Sequence, residues 1–204
     1  MKILAALIAA ATLGWAAQAL AVTTTAPPPD ELVKTTVGDV LTVMRAQKDR
    51  RALRQLAEEK VLPHFDFREM TQLAVDRPWS QASSEQRQSL ESGFRMLLVN
   101  TWTNALSQAT LDNRVIDVLP IPPRAGNNDV TVKTLIRKSG QQPVSIDYRL
   151  NSTTDGWKIY DVMVEGISLV TTYRSSFAEE IKRGGVEGLI KALEDKNRTL
   201  ASNG

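Results

Sequence analysis

Apolar residues recur at helical spacing over the first half of this chain. They alternate one-in-two from Asn113 to Val164, and return to helical spacing after Gly166. Val33, Val37, Val40, Leu41 and Met44 stand at offsets 0, 4, 7, 8 and 11 behind Asp30, the expected N-cap of a first helix. A second short helix is predicted over 50–61, with Leu53, Leu56 and Ala57 inward and Pro63 ending it. Met70, Leu73 and Ala74 predict a third, closing at Val75 before Pro78-Trp79 breaks the chain. Ser83, with Gln86 three residues on, is a capping-box signature for the longest helix, over 84–109. Its stripe of Leu90, Phe94, Leu97, Leu98, Thr101 and Ala105 runs beside a second made of Val99, Trp102 and Leu106. An apolar arc that wide predicts two partners, one of them the sheet and the other helices or a ligand.

The alternating half predicts four strands. The first runs from Val115 to Leu119 and stops at Pro120, Pro122 and Pro123. After a turn at Gly126-Asn127-Asn128-Asp129, the second sets Val130, Val132, Thr134 and Ile136 against Thr131, Lys133 and Arg137. Ser139-Gly140 turns the chain into the third, with Val144, Ile146, Tyr148 and Leu150 opposite Ser145, Asp147 and Arg149. The fourth, Trp157 to Val164, follows Asp155-Gly156. Strict alternation puts Trp157, Ile159 and Met163 on one face and Tyr160, Val162 and Val164 on the other. Being apolar on both faces, it is predicted to be central. Loops this short between consecutive strands make an antiparallel meander. Beyond Gly166, Val170, Tyr173, Phe177 and Ile181 form one helical stripe and Val186, Leu189, Ile190 and Leu193 a second, hinged at Gly184-Gly185. The expected architecture is α+β: a twisted four-stranded antiparallel sheet wrapped by N- and C-terminal helices, one domain over 30–204.

With 204 residues, 42% of them hydrophobic, the chain can bury a substantial core. Its formal net charge is only +2 and no basic run stands out, so no nucleic-acid partner is expected. Cysteine is absent, which excludes disulfides and thiol chemistry. Lys2, the apolar stretch from Ile3 to Ala17, and Ala19-Leu20-Ala21 have the form of a signal peptide over 1–21, cleaved after Ala21. A flexible leader, 22–29, follows. The expectation is an exported protein.

Two residues could carry acid–base chemistry. His64 is the only histidine, with Asp66 and Glu69 nearby, too little for a zinc set or a serine–histidine pair. Asp161 sits mid-strand among apolar neighbours. It would serve either as a base in an enzyme for a small hydrophobic substrate or as a buried carboxylate held by backbone amides or Arg174. The second use is the commoner one. No catalytic or metal site and no cofactor is expected.

Trp157-Lys158-Ile159-Tyr160-Asp161-Val162, then Val164-Glu165-Gly166-Ile167-Ser168-Leu169-Val170, then Tyr173-Arg174 and Phe177, form an ordered series over some forty positions. Upstream stand Pro63-His64-Phe65-Asp66-Phe67, Met70-Thr71, Trp79, Ser84-Glu85-Gln86-Arg87 and Phe94-Arg95-Met96-Leu97-Leu98. The series resembles the MlaC family, periplasmic phospholipid-binding proteins also called toluene-tolerance auxiliary proteins. Two positions depart from it: Val75-Asp76 stand where the family usually has Leu-Gly, and Trp102 where its long helix has tyrosine.

The resemblance implies a sheet similar to nuclear transport factor 2-like domains. It implies a carrier whose cargo is a phospholipid. Its partners would be an outer-membrane lipoprotein complex and the substrate-binding subunit of an inner-membrane ABC transporter, in a pathway that maintains outer-membrane lipid asymmetry. A monomer is expected, though the sequence leaves the oligomeric state open. Burying about fourteen methylenes of one acyl chain is worth roughly 11 kcal/mol at ~0.8 each, so a carrier needs a deep, dry pocket. The expected lining is Phe94, Leu97, Leu98, Thr101 and Trp102 from the long helix. From the sheet side it is Val132, Ile146, Tyr148, Val164, Leu169 and Tyr173.

Overall fold

The computed structural model describes residues 27–46, 49–108, 115–120 and 128–202. The expected signal peptide over 1–21, most of the expected leader, Ala109, Asn113, Pro122, Pro123, Gly126 and Asn127 lie outside them.

Helix α1 (Pro29–Ala46) starts two residues earlier than an Asp30 cap predicts. The Leu32 N–H donates to Pro28 O at 2.9 Å, so Pro29 occupies the first helical position, where a missing N–H costs nothing. Asp30 is therefore not the cap; it lies with Glu31 in the first turn, where acidic groups favour the helix dipole. Helix α2 (Arg50–Leu56) is capped by Asp49 and runs on through a π-helical turn (Ala57–Val61) and a 3-10 turn (Leu62–His64). The helix predicted over 50–61 thus exists as a path that widens and then tightens. Asp66 caps α3 (Phe67–Val75) by accepting from the Glu69 N–H at 2.8 Å. Pro78-Trp79, predicted as a break, instead opens a single helical turn, α4 (Pro78–Gln81). The capping box of α5 (Ser84–Gln108) is formed in both directions, Gln86 N–H to Ser83 Oγ at 3.2 Å and Ser83 N–H to Gln86 Oε1 at 2.9 Å.

The sheet has five strands, not four, in the order β1 (Val115–Val118), β2 (Asp129–Arg137), β3 (Val144–Thr153), β4 (Gly156–Val164), β5 (Ile167–Ser168), all antiparallel. The fifth is two residues long, too short for any period to reveal, and follows a turn in which Glu165 and Gly166 both have positive φ. Strand β4 is accordingly next to an edge rather than central. Part of its free edge takes the Asp66 N–H on Ile159 O at 2.8 Å, and its two faces are covered by helices rather than flanked by strands.

A bulge in β4 overturns the strict alternation. Arg149 pairs with Asp161 but Leu150 pairs with Ile159, leaving Tyr160 as the extra residue. Trp157, Ile159 and Val162 consequently share one cluster, while Tyr160 joins the other.

Helix α6 (Leu169–Ser202) closes the fold over the far face of β4. It breaks at Gly184-Gly185, as predicted; Gly185 has φ 66° and ψ −164°, a conformation that only glycine adopts freely. Helix α5 packs chiefly on α6, α3 and α2. Tyr160 of β4 joins the hydrophobic cluster of α5, so the sheet is among its neighbours. Among the described residues no helix is long and apolar enough to cross a membrane.

Candidate functional site

Between the C-terminal half of α5, the α1–α2 pair and the concave face of the sheet lies a cavity of about 390 Å³. The sheet wall is set by register. Thr134 faces Ile146, Ile146 faces Val164, and Tyr148 faces Val162, so these side chains rise from one surface. Helix α1 contributes the whole stripe read from its sequence, Val33 through Met44. From α5 come Val99, Trp102, Thr103, Ala105 and Leu106. The π turn adds Ala57 and Val61, consistent with the frequent use of such turns at functional sites.

The cavity has a closed end and an open one. Ile159 at its floor is 1% exposed; Val164 at its mouth is 45% exposed, beside Ile167 at 68%. Phe65 braces the inner end, its ring 5.4 Å from that of Trp102 and 5.8 Å from that of Phe67. Few polar atoms reach the lining. Thr36 Oγ1 donates to Leu32 O at 2.8 Å and Thr134 Oγ1 to Ile146 O at 2.6 Å, so both are satisfied within the wall. The Tyr148 phenol is enclosed by protein, and burial pushes its pKa up to about 12.

Four of the residues expected to line the pocket do line this cavity: Trp102, Ile146, Tyr148 and Val164. Val132 is fully buried beside Tyr148, in the cluster that forms the floor. The others meet elsewhere. Phe94, Leu97 and Leu98 belong to a solid cluster between α3, α5 and α6, joined by Leu169 and Tyr173. There Phe94 touches the rings of Tyr173 (4.9 Å) and Phe177 (5.1 Å), and Thr101 lies near the Tyr173 hydroxyl. The reason is length. A helix of 25 residues spans about 37 Å at ~1.5 Å per residue, so its N-terminal half meets α6 and its C-terminal half the cavity. Sequence reasoning missed the α1 and α2 side of the lining. The α1 stripe was visible, but a stripe facing a void and one facing a core have the same spacing.

Asp161 lies on the opposite face of β4, 2% exposed and outside the lining. Its carboxylate accepts from Ser168 Oγ at 2.6 Å and from the Val170 N–H at 3.1 Å, tying β4 to the N-terminus of α6. Arg174 is not its partner; its Nε donates to Leu73 O at 2.8 Å. His64 does not line the cavity either. Burial, and then the charge of Lys158, lower its pKa, against a smaller opposing effect from Asp39. Among the described residues no three His, Asp or Glu side chains are placed to hold a metal ion.

A model of the MlaC protein family matches residues 34–195, most of the chain. The chain belongs to the MlaC family. Among MlaC relatives, the intermembrane phospholipid transport system binding protein MlaC of Haemophilus influenzae is 20% identical over 153 residues, covering 74% of this chain and 71% of that protein. Toluene tolerance protein ttg2D of Pseudomonas putida is 25% identical over 170 residues, covering 80% and 77%. A solved structure of a phospholipid-binding protein from Ralstonia solanacearum, in complex with a phospholipid, superposes with a TM-score of 0.77 at 36% identity. It covers 86% of this chain and 99% of that one. The two departures from the MlaC pattern now have places. Trp102 is in the cavity wall, and Asp76 ends α3 at φ 61° and ψ −136°, where the family's glycine would sit without strain.

Proposed function

We propose that this chain is a soluble periplasmic phospholipid carrier, a single domain over 30–204 preceded by a signal peptide over 1–21. The observation that carries this reading is the cavity: part-enclosed, more exposed toward Val164 than toward Ile159, and lined almost wholly by apolar side chains. Its volume of about 390 Å³ corresponds to about thirteen water-sized units at ~30 Å³ each, and a methylene takes up about as much. Burying that length of acyl chain is worth about 10 kcal/mol at ~0.8 per methylene. Family membership and the phospholipid in the Ralstonia solanacearum structure support the choice of cargo.

No covalent step is needed. The lipid leaves one apolar environment for another, and a partner that binds the emptied form better than the loaded one drives release. Those partners are an outer-membrane lipoprotein complex and an inner-membrane ABC transporter subunit, and the exchange serves outer-membrane lipid asymmetry. Exposed Val144, Val164 and Ile167 at the mouth suit such a docking step. The alternative of an enzyme using Asp161 or His64 as base draws no support from position, since neither lines the cavity. Lipid mass spectrometry on detergent-free protein, extracted under denaturing conditions, tests the reading. A stoichiometric phospholipid is the expected result; a chain that emerges empty overturns it.

A further inference from the structure

Two hydroxyls in the cavity lining have no hydrogen-bond partner among the described residues: Tyr148 on the sheet wall and Thr103 on α5. Thr103 is 4% exposed and Tyr148 is half-buried, and both border the cavity. This sets them apart from Thr36 and Thr134 in the same lining, which donate to backbone carbonyls. Both hydroxyls open on the cavity, so a lipid that fills it displaces water from them, and a donor then left unpaired costs free energy that a phenylalanine or valine of the same shape would not. Their presence among some twenty apolar neighbours therefore points to an acceptor supplied by the occupant.

Depth identifies the acceptor. Ile146 pairs with Val164 at the mouth, and Tyr148 is two residues further in, about 7 Å at ~3.4 Å per residue. With a charged headgroup in water at the mouth, the atoms that reach this depth are the links between glycerol and the acyl chains. In a diacyl lipid those links are esters, each with a carbonyl oxygen. Methylenes, which accept nothing, run on toward Ile159.

We propose that Tyr148 and Thr103 donate hydrogen bonds to the ester carbonyl oxygens of the bound lipid, and so select ester-linked over ether-linked cargo. The inference rests on the carrier reading and adds a chemical criterion to it. It is tested by competition: a dioleoyl phosphatidylglycerol and its dialkyl ether counterpart of equal chain length each displace a fluorescent fatty-acyl probe from the purified chain. The wild-type chain is expected to prefer the ester lipid by about tenfold, and Tyr148→Phe to remove most of that preference. Thr103→Val should reduce it by about threefold, and serves for the same comparison should Tyr148→Phe fail to fold. A wild-type chain that takes both lipids equally overturns the inference and leaves the carrier standing, as does a preference that survives both substitutions. A wild-type chain that takes up neither lipid overturns the carrier reading and this inference with it.

Discussion

Helix α5 is shared by two apolar regions of opposite character. On its N-terminal half, Leu90, Phe94 and Leu98 are sealed against α3 and α6, with the Phe94, Tyr173 and Phe177 rings in mutual contact. On its C-terminal half, Trp102, Ala105 and Leu106 face a void. Composition does not separate the two, because both halves offer aliphatic and aromatic side chains. Approach distance does. At Gly93 the missing side chain lets α6 come close enough that an added Cβ would stand 3.2 Å from Leu193 Cβ. Two turns further along α5 and one turn along α6, Asn100 and Asn197 lock the register. Asn100 Nδ2 donates to Asn197 Oδ1 at 3.3 Å, Asn197 Nδ2 donates to Gly93 O at 2.9 Å, and Arg54 donates to Asn100. Beyond that latch Trp102 and Phe65 meet; α1 rests on the sheet through Leu32 and Val33, while its Val40, Leu41 and Met44, with α2, border the void. Close packing is therefore local to where two backbones are allowed to approach.

The sharpest way to break the contrast is to truncate one side chain in each half. Phe94→Ala should cost about 3–5 kcal/mol in urea unfolding, because its neighbours cannot refill the space. Ile146→Ala, on a wall that already borders a void, should cost about 2 kcal/mol or less and instead weaken lipid retention. Equal losses of stability would mean that the cavity is packed in solution. Gly93→Val comes next, with about 2 kcal/mol lost to overpacking against Leu193 and lipid binding retained; a neutral result would show that the α5–α6 approach is not what fills that half.

A smaller, opposite change is expected at Asp76. Replacing it with glycine relieves the strained φ of 61° and should raise stability by about 1 kcal/mol, read as a higher melting temperature with the cavity untouched. The smallest effect concerns His64. Its folded pKa lies below the usual 6.5, so between the two values the unfolded chain binds more protons, and stability falls as pH drops through 6.5 and levels off below the folded value. Because the ring is only part-buried, the change should be small. It should vanish in His64→Gln, and a slope unchanged by that substitution assigns it to other groups.

Much of this was legible in the chain. The α5 capping box, the alternation of the two strands from Val130 to Leu150 and the Gly184-Gly185 hinge each depend on residues within a few positions of one another, so local spacing reveals them. The bulge at Tyr160 was not legible, and it put Val162 and Val164 on the face of Ile159, parting them from Tyr160. Nothing in Ile159-Tyr160-Asp161 marks the inserted residue; it exists because Arg149 pairs with Asp161 while Ser168 and Val170 hold that carboxylate on the α6 side. The site was half legible for a related reason. Trp102, Ile146 and Tyr148 follow from faces that alternation sets, whereas Phe94 and Tyr173 share those faces' chemistry but meet a neighbouring helix.

By itself the sequence determined which surfaces must leave water: the stripes of α1, α5 and α6 and one face of each long strand, since their periods of about 3.6 and 2 are written residue by residue. Tertiary structure alone decided which of those surfaces touch and which stand apart around empty space. A hydrophobic face lowers its free energy by leaving water, whatever it meets, so spacing cannot tell a core from a cavity. That distinction is set by how nearly backbones distant in sequence can approach, as Gly93 meets Leu193 and Phe65 props Trp102.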